Sequence, residues 1–331
     1  TIGGSSGNRT GQMRQADGLA VDSAGNLYIA EYLNHRIQKF APGVPGWKQV
    51  NINGFGERAN RIGSLGVFGN HLYAGTVNFD TGGEIWRMGS SWTAVITGGL
   101  GYAYNVGIDH LAEFNGQLYA GTWADKVNGG EVWRSGDGLS WTRVVSQGFG
   151  DPTNGEVFRF AVFSDTLYAT TWSYTATHGL EIWRSDTGDA GDWEQVVANG
   201  FGDADNETAT GFEVFNGYLY AGTYNWNRAT QTSTGGEVWR SHTGDSGSWS
   251  QVNTDGFGDS DNWGVLSFAV FNGYLYAGIG NWDPATRTST GGQVWRCSTC
   301  DGSDWQQVIS DGFGNTCLLY TSDAADDLLC V

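Results

Sequence analysis

The sequence predicts an all-β fold assembled from repeated four-stranded units, and three observations support this prediction. The segment Gly235–Ser241, Gly-Gly-Glu-Val-Trp-Arg-Ser, has close copies, which lie at Gly82–Met88, Gly129–Ser135, Gly179–Ser185 and Gly291–Cys297. Glycine is the commonest residue at 53 of 331, proline is scarce at 4, and aromatic residues make up 14%. Asn-Gly dipeptides recur between apolar runs, and this pair tolerates the positive φ that a two-residue hairpin turn needs. A motif that returns in this way is one supersecondary unit used repeatedly.

Each repeat contains four predicted strands in the same order. In residues 199–254, a Gly-Phe-Gly-Asp loop precedes a first strand near Thr210–Phe215, and an Asn-Gly turn leads to a second at Tyr218–Thr223. The third strand is predicted at Glu237–Ser241 and the fourth at Trp249–Val252. Four antiparallel strands in each repeat of roughly 50 residues are typical of a β-propeller blade.

We therefore predict a single β-propeller domain over residues 1–315. Its six complete blades are expected at about 16–50, 54–95, 98–144, 148–196, 199–252 and 255–308. Asp311–Asn315 begins like a further unit, so a seventh, incomplete blade is the alternative. Residues 316–331 match no blade. Three explanations of this tail stay open: a truncated blade, a closing or exchanged strand, and sequence foreign to the protein.

The first blade differs from the others and resembles a known repeat. Residues 16–40 include Ala-Asp-Gly-Leu-Ala-Val-Asp near their start and Asn34-His35-Arg36 near their end. These residues resemble an NHL repeat. That family forms β-propellers, so the resemblance implies the same fold here and is nearly silent on function.

The loop between the third and fourth strands carries a second resemblance. Ser135–Trp141, Ser-Gly-Asp-Gly-Leu-Ser-Trp, resembles the Asp-box hairpin of BNR-type propellers such as sialidases. Looser versions lie at Ser185–Trp193, Ser241–Trp249 and Cys297–Trp305. In that family the Asp caps the turn and the Trp packs between strands, remote from the active site. The converging arginines of a sialidase site are not visible, because the arginines outside the repeat position are few and scattered.

Charge and hydropathy exclude two classes of partner. With 17 basic and 35 acidic residues, the formal net charge is −18, and phosphate backbones would be repelled. We therefore expect no nucleic-acid binding. No apolar run approaches the roughly 20 residues of a transmembrane helix, so we expect no membrane insertion. Thr1 is not an initiator, and we expect a removed segment such as a secretory signal before it, which predicts an extracellular protein.

The cysteines indicate a small disulfide. Cys297 and Cys300 form a C-x-x-C where the preceding repeat has Ser241 and Gly244. One such pair without a second is weak evidence for zinc. We predict a disulfide formed in an oxidising compartment, with reduced thiols and metal or redox chemistry as alternatives. The pairing of two further cysteines, Cys317 and Cys330, cannot be predicted.

The loops that enter blades 4 to 6 offer oxygen ligands at short spacing. Hard Ca²⁺ prefers six to eight oxygens, some from backbone carbonyls that glycine-rich turns expose. Calcium binding is one interpretation, and capping of Asx turns is the other. The candidate ligands are Asp151, Asn154, Asp203, Asp205, Asn206, Asp259, Asp261 and Asn262.

The loops that join second and third strands vary in length and are expected on the same face as the entry loops. Variable loops on a rigid scaffold are where function usually resides. These loops carry Tyr174, Tyr224, Trp226 and Trp282 beside amide and hydroxyl residues. Such rings can stack on sugars, contact another protein, or pack against adjacent loops. The predicted partners are accordingly glycans or other protein subunits.

The first strands are expected to line a central channel, and the residue four positions before each strand-ending phenylalanine differs from blade to blade. Asp109, His110, Glu156, Arg159 and Glu213 can together supply an acid–base set, so these are the catalytic candidates if the protein is an enzyme. A polar lining that holds water is the simpler interpretation.

We therefore predict a secreted, non-enzymatic binding or structural-assembly module. Head-to-tail assembly would give a filament, tube or surface layer, with calcium as a stabilising ion. The alternative is a propeller hydrolase or lyase that acts on polysaccharide.

Overall fold

A computed structural model of the chain describes residues 7–10, 12, 14–125, 127–175, 177–310 and 312. These residues contain 24 β-strands, in six consecutive groups of four that we call blades 1 to 6. Within the described part, no helix has the length and apolar character that crossing a bilayer requires. The predicted tail at 316–331, with Cys317 and Cys330, lies outside the described residues.

Blades 1 to 3 contain the first twelve strands. They are β1 (Ala16–Val21), β2 (Leu27–Glu31), β3 (Arg36–Phe40), β4 (Trp47–Gln49), β5 (Arg61–Phe68), β6 (His71–Val77), β7 (Ile85–Met88), β8 (Trp92–Ile96), β9 (Asn105–Phe114), β10 (Gln117–Ala124), β11 (Val132–Ser135) and β12 (Thr142–Val145). Successive strands within each of these blades are antiparallel neighbours.

Blades 4 to 6 repeat the pattern. Their strands are β13 (Asn154–Phe163), β14 (Thr166–Ser173), β15 (Ile182–Ser185), β16 (Glu194–Val197), β17 (Asn206–Phe215), β18 (Tyr218–Asn225), β19 (Val238–Ser241), β20 (Ser250–Gln251), β21 (Gly264–Phe271), β22 (Tyr274–Gly280), β23 (Gln293–Cys297) and β24 (Gln306–Ile309). The pairings from β14 to β16, from β17 to β20 and from β21 to β24 are likewise antiparallel.

The strands belong to two compact units. The first unit contains the described residues up to Phe160 together with Gly188–Gly191. The second contains Ala161–Thr187 and the described residues from Asp192 onward. The boundary falls inside β13. A single propeller domain over residues 1–315 stays a prediction.

Blade 5 shows how far the strand prediction holds. All four strands are present in the predicted order, but β17 begins at Asn206, four residues before the expected start at Thr210. Its pairing with β18 is interrupted by irregularities between Asn206 and Thr208 and between Ala209 and Gly211. Such bulges break the alternation of side chains between the two faces of a strand. The sequence pattern therefore does not reveal the first four residues of β17.

Neighbouring blades within each unit are joined at one end of the second strand. The end of β10 pairs with β13 through Trp123 and Glu156. In the second unit, the ends of β14 and β18 pair with the next first strands through Trp172 with Thr208 and Tyr224 with Gly264. Aromatic residues at the ends of second strands therefore lie where two blades meet.

The repeated motif forms a buried hydrogen-bond network. In blade 5, Glu237 Oε2 accepts hydrogen bonds from Trp239 Nε1 at 2.6 Å and Asn206 Nδ2 at 2.8 Å. The Glu237 N–H donates to Thr223 Oγ1 at 2.9 Å. Burial raises the pKa of the Glu237 carboxyl, and its hydrogen bonds from Trp239 and Asn206 oppose the rise. The carboxylate thus joins the third strand to the residue at which the first strand begins.

Other blades contain the same network. Glu84 and Glu131 each accept a hydrogen bond from the motif tryptophan at 2.8 Å and from an asparagine at 2.7 Å. In blade 6 the position is Gln293, whose Oε1 accepts from Trp295 at 2.9 Å and Asn262 at 3.2 Å. Because the glutamine accepts from the same two donors, the network requires an acceptor oxygen and not a negative charge.

The Gly-Phe-Gly loops place a phenylalanine in a left-handed conformation. Phe55, Phe201 and Phe257 have φ values of 55°, 63° and 57°. Such values are genuine outliers for a bulky side chain. Each ring stacks on the motif tryptophan of its own blade, with centroid distances of 4.4, 4.5 and 4.6 Å. The stacking holds the strained turn against the buried network.

The hairpins between third and fourth strands pack on tyrosines of the preceding blade. Tyr73 and Tyr168 are each 1% exposed. A Cβ atom at Gly138 would lie 1.9 Å from the Tyr73 hydroxyl, and one at Gly244 would lie 2.0 Å from the Tyr168 hydroxyl. Both glycines also have positive φ, so only glycine fits this hairpin position without rearrangement.

The Asp side chain of the hairpin in blade 3 caps the turn. Asp137 Oδ1 accepts hydrogen bonds from the N–H groups of Leu139 at 2.8 Å and Ser140 at 2.7 Å, and from Ser135 Oγ at 3.0 Å. These bonds lower the pKa of Asp137 to about 2. Membership of these hairpins in the Asp-box family stays a prediction.

We expect the buried acceptor of blade 5 to be essential and its charge to be dispensable. Glu237→Ala leaves the indole N–H of Trp239 without a partner and removes one of the two acceptors of the Asn206 amide, so it should lower the free energy of unfolding by about 2–4 kcal/mol. Glu237→Gln copies Gln293 and should lower it by less than about 1 kcal/mol. Urea denaturation measures both values, and equal losses for the two variants would contradict this role.

Candidate functional site

Four of the five catalytic candidates lie in the first unit. Asp109 and His110 are on β9, and Glu156 and Arg159 are on β13. The charge of Arg159 interacts with Asp109, Glu156 and Asp17. We call Asp109, His110 and Arg159 the inner ionisable cluster. The remaining candidate, Glu213, is on β17 of the second unit, where its Oε1 accepts the N–H of Val214 at 2.9 Å.

Burial sets the protonation states of the inner ionisable cluster. It raises the pKa of Asp109 to about 7, against the opposing charge of Arg159, and Asp17 adds to the rise. Burial also lowers the pKa of His110 to about 3, and the charge of Arg159 lowers it further. Oδ2 of Asp109 is buried with no hydrogen-bond partner among the described residues. At neutral pH, Asp109 can therefore exchange a proton while His110 stays neutral.

One hydrogen bond fixes the tautomer of His110. Its Nδ1 accepts the N–H of Phe160 at 3.2 Å, so Nδ1 carries a lone pair and the ring proton is on Nε2. Arg159 is held nearby on the same strand as Phe160. Its Nη1 donates to the carbonyl of Phe158 at 3.0 Å, and its guanidinium lies 4.1 Å from the centre of the Phe158 ring.

The inner ionisable cluster departs from the repeat. His110 and Arg159 stand four residues before the phenylalanines that end β9 and β13, where blade 2 has Ser64 and blade 5 has Gly211. Ser64 donates to the carbonyl of Ile108 at 2.7 Å, which is a structural role. His110 likewise bonds a backbone group of the next blade, through the N–H of Phe160, and differs from Ser64 in being ionisable.

Clefts of about 190 Å³ and 450 Å³ lie elsewhere in the first unit. The larger is lined by the aromatic residues Phe55, Trp86 and Trp92 of the blade scaffold. Neither is lined by a residue predicted to be functional.

The oxygens of the entry loops form hydrogen bonds within the loops. Asp151 Oδ1 accepts from Thr153 N at 2.9 Å, Asp203 Oδ1 from Asp205 N at 3.0 Å, and Asp259 Oδ1 from Asp261 N at 3.0 Å. The loop asparagines Asn154, Asn206 and Asn262 donate from Nδ2 to the carbonyls of Gly148, Gly200 and Gly256. These are the geometries of capped Asx turns.

In the described part of the chain, no three His, Cys, Asp or Glu side chains form a metal-binding group. Calcium binding at the entry loops stays a prediction.

The variable loops contact the entry loops, as their predicted common face requires. Asp205 Oδ2 accepts from Asn227 Nδ2 at 3.0 Å, and the carbonyl of Asp205 accepts the N–H of Trp226 at 2.7 Å. In blade 6 the carbonyl of Asp261 accepts the N–H of Trp282 at 2.7 Å. Trp226 and Trp282 thus occupy equivalent, half-buried positions.

Two of the four predicted contact residues, Tyr174 and Tyr224, both contact the ring of Trp172. The Trp172 ring centre lies 6.4 Å from that of Tyr174 and 5.5 Å from that of Tyr224. Tyr224 in turn contacts Trp263 at 4.8 Å. Glu207 and Arg228 form an ion pair beside these rings. We call Trp172, Tyr174, Tyr224, Trp263, Glu207 and Arg228 the aromatic loop surface.

The ion pair is joined to the rings by hydrogen bonds and a ring contact. Glu207 accepts from both Nε and Nη2 of Arg228, the latter at 2.7 Å, and its Oε2 accepts from Trp172 Nε1 at 3.2 Å. The Arg228 guanidinium lies 6.0 Å from the centre of the Tyr174 ring. Burial raises the pKa of Glu207, and Arg228 opposes the rise.

Sequence reasoning did not identify Trp172, Trp263, Glu207 or Arg228 as site residues. Trp172 could have been found by aligning the repeats, because it stands at the position of Tyr224 in the next blade. Glu207 and Arg228 have no glutamate or arginine at the equivalent positions of the neighbouring blades, and they are 21 residues apart in the sequence. The repeat pattern therefore does not identify them.

Cys297 and Cys300 form a disulfide in the hairpin that follows β23. In blade 5 the equivalent residues are joined by a hydrogen bond from Gly244 N to Ser241 Oγ at 2.7 Å. Both cysteines pack in a core cluster with Tyr220, so the disulfide takes over a structural contact of the blade.

The comparisons with known proteins agree with this architecture. The family model of the NHL repeat matches residues 13–40. No functionally curated protein matches the chain in sequence. Among solved structures, virginiamycin B lyase from Staphylococcus aureus is similar with a TM-score of 0.62 at 12% identity, over 89% of this chain and 84% of that chain.

Two further solved structures are also similar. YCF48 bound to D1 peptide has a TM-score of 0.56 at 14% identity, over 90% of this chain and 84% of that chain. The GH74 xyloglucanase from Xanthomonas campestris has a TM-score of 0.58 at 17% identity, over 90% of this chain and 48% of that chain. At these identities the likeness shows the fold alone.

These findings define the class of the protein as an all-β β-propeller. More particularly, it is a propeller whose first blade contains an NHL repeat, as the resemblance at residues 16–40 implied.

We expect His110 to stay neutral far below its ordinary pKa. Nitrogen-15 NMR should show the Nε2–H tautomer down to about pH 4, because burial and Arg159 disfavour the imidazolium. Arg159→Gln removes the charge and should move the His110 pKa part of the way back up. A wild-type titration centred near the ordinary value of 6.5 would refute the buried, neutral state.

Proposed function

We propose that this protein is a secreted β-propeller that binds an extracellular glycan or protein partner and does not catalyse a reaction. The observation that carries the proposal is the aromatic loop surface. Half-buried rings beside an ion pair of a buried glutamate and an exposed arginine, on loops of unequal length, are typical of a binding site on a rigid scaffold. The disulfide between Cys297 and Cys300 supports an oxidising, extracellular location.

Assembly of copies into a filament, tube or surface layer is a narrower form of the same proposal. It is supported by the strong net negative charge, which cations can bridge between copies. The structure of YCF48 bound to D1 peptide is a case in which a protein with a similar fold holds a peptide.

Calcium stabilisation of the entry loops is a further part of the proposal. Burial raises the pKa of Asp261, and the charges of Asp259 and Asp283 add to the rise. A bound cation would relieve this repulsion between carboxylates. An unchanged melting temperature on adding EDTA would argue against bound calcium.

A propeller hydrolase or lyase acting on polysaccharide is the second candidate function. The inner ionisable cluster favours it, because a carboxyl group with a pKa of about 7 can accept and return a proton at neutral pH. The neutral His110 and the cationic Arg159 would lie beside a substrate bound there.

We expect binding to depend on the end of β18 that carries Tyr224. Tyr218 lies at the other end of the same strand, is also half-buried, and has Arg240 4.4 Å from its ring centre, so Tyr218→Ala is a matched control. Washed extracellular material from the source of the protein should retain wild type and Tyr218→Ala. Tyr224→Ala should be retained at least about tenfold less tightly.

Equal retention of wild type, Tyr218→Ala and Tyr224→Ala would show that the aromatic loop surface is not the binding site. Turnover of any polysaccharide by wild type, lost in Asp109→Asn, would establish the second candidate instead.

A further inference from the structure

We infer that the aromatic loop surface is a binding site for a neutral, hydroxyl-rich polysaccharide. This inference rests on the proposed function and names the class of ligand.

The rings of the aromatic loop surface are fixed before any ligand arrives. Trp172 is oriented by its Nε1–H bond to Glu207 at 3.2 Å, and Tyr224 is inclined to it by 45°. Trp263, which is 7% exposed, supports Tyr224 from the edge at an interplanar angle of 67°. A sugar ring presents an apolar face of C–H groups, which packs against an aromatic face without needing it to move. Preorganised rings reduce the entropy lost on binding.

The ion pair of Glu207 and Arg228 supplies a hydrogen-bond acceptor and hydrogen-bond donors beside the rings. The side chain of Glu207 is 2% exposed, whereas that of Arg228 is 38% exposed. Two of the Arg228 nitrogens donate to Glu207, and a guanidinium carries five N–H groups in all. The exposed edge of Arg228 can therefore donate to sugar hydroxyls while its charge stays balanced by Glu207. The pair adds no net charge to the site.

Charge argues for a neutral ligand. The formal net charge of the chain is −18, and Asp203 and Asp205 lie in the entry loop that contacts the loop of Arg228. Polyanions such as polyuronates would be repelled. Because the charge of Arg228 is already neutralised by Glu207, it does not offer a free cation to a carboxylate.

The composition of the surrounding loop argues for a glycan over a protein. The segment 227–232 exposes amide, hydroxyl and guanidinium groups from Arg228, Thr230, Gln231 and Thr232. The strongly exposed large hydrophobic residues described in the second unit are Val162, Val270, Phe271 and Val308, and none is in this loop. Beside the rings, this loop therefore offers many hydrogen-bond donors and acceptors and no exposed large apolar side chain, which suits a ligand dense in hydroxyl groups.

Affinity gel electrophoresis with soluble polysaccharides tests the inference on the full chain. Xyloglucan, a mixed-linkage glucan and a galactomannan are the neutral probes, and polygalacturonate and alginate are the anionic probes. At least one neutral polymer should retard wild type and Tyr218→Ala, and neither anionic polymer should. Tyr224→Ala should weaken the retardation at least about tenfold. Trp172→Phe keeps a ring but loses the bond to Glu207, and should weaken it less.

Melting curves establish that each variant is folded before binding is compared. Retardation that is equal in wild type and Tyr224→Ala would overturn the inference, and so would preference for the anionic polymers. If no polysaccharide binds but a protein partner is held in a Tyr224-dependent way, the glycan inference fails and the proposed function stands. If neither a polysaccharide nor a protein is held through Tyr224, both fail.

Discussion

A buried acceptor oxygen at the start of the third strand is the interaction on which the rest of the fold depends. In blade 5 the Glu237 carboxylate receives the indole N–H of Trp239 and the amide of Asn206, which also donates to the carbonyl of Gly200. One side chain thereby connects the third strand, the start of the first strand and the entry turn. An unpaired polar group at such a buried position costs more than a made hydrogen bond contributes, so the members must be kept or lost together.

This network also explains an otherwise unfavourable turn. Phe201 adopts a left-handed conformation that a bulky side chain normally avoids, yet its ring lies flat on Trp239 at an interplanar angle of 3°. The indole can offer that face because Glu237 fixes its edge. Blades 2 and 6 repeat this set of a stacked phenylalanine, a tryptophan and an acceptor oxygen. Positions outside the set can vary between blades, and both the inner ionisable cluster and the aromatic loop surface lie at such variable positions.

The sequence predicts the scaffold well because each scaffold contact is repeated. The Trp-Arg strands, the Asn-Gly hairpins and the second-strand tyrosines all recur, so the repeats of this one chain can be aligned with one another. His110 and Arg159 are predictable as catalytic candidates because departures from a repeat are also visible in the sequence. Glu213 was grouped with them only by its strand position, and it lies in the second unit. Glu207 and Arg228 were not found, because a pair formed across 21 residues leaves no local pattern and bulges obscure the start of β17.

The most direct test of the central role of the network is hydrogen exchange at the indole nitrogens of the five motif tryptophans, followed by NMR. The indole Nε1–H of each of these tryptophans donates to a glutamate or a glutamine. The five tryptophans are Trp86, Trp133, Trp183, Trp239 and Trp295. The account predicts that all five exchange only when their blade opens, and that Glu237→Ala accelerates exchange at Trp239 before the others. Rapid exchange at these indoles in the folded protein would show that the network does not hold the blades together.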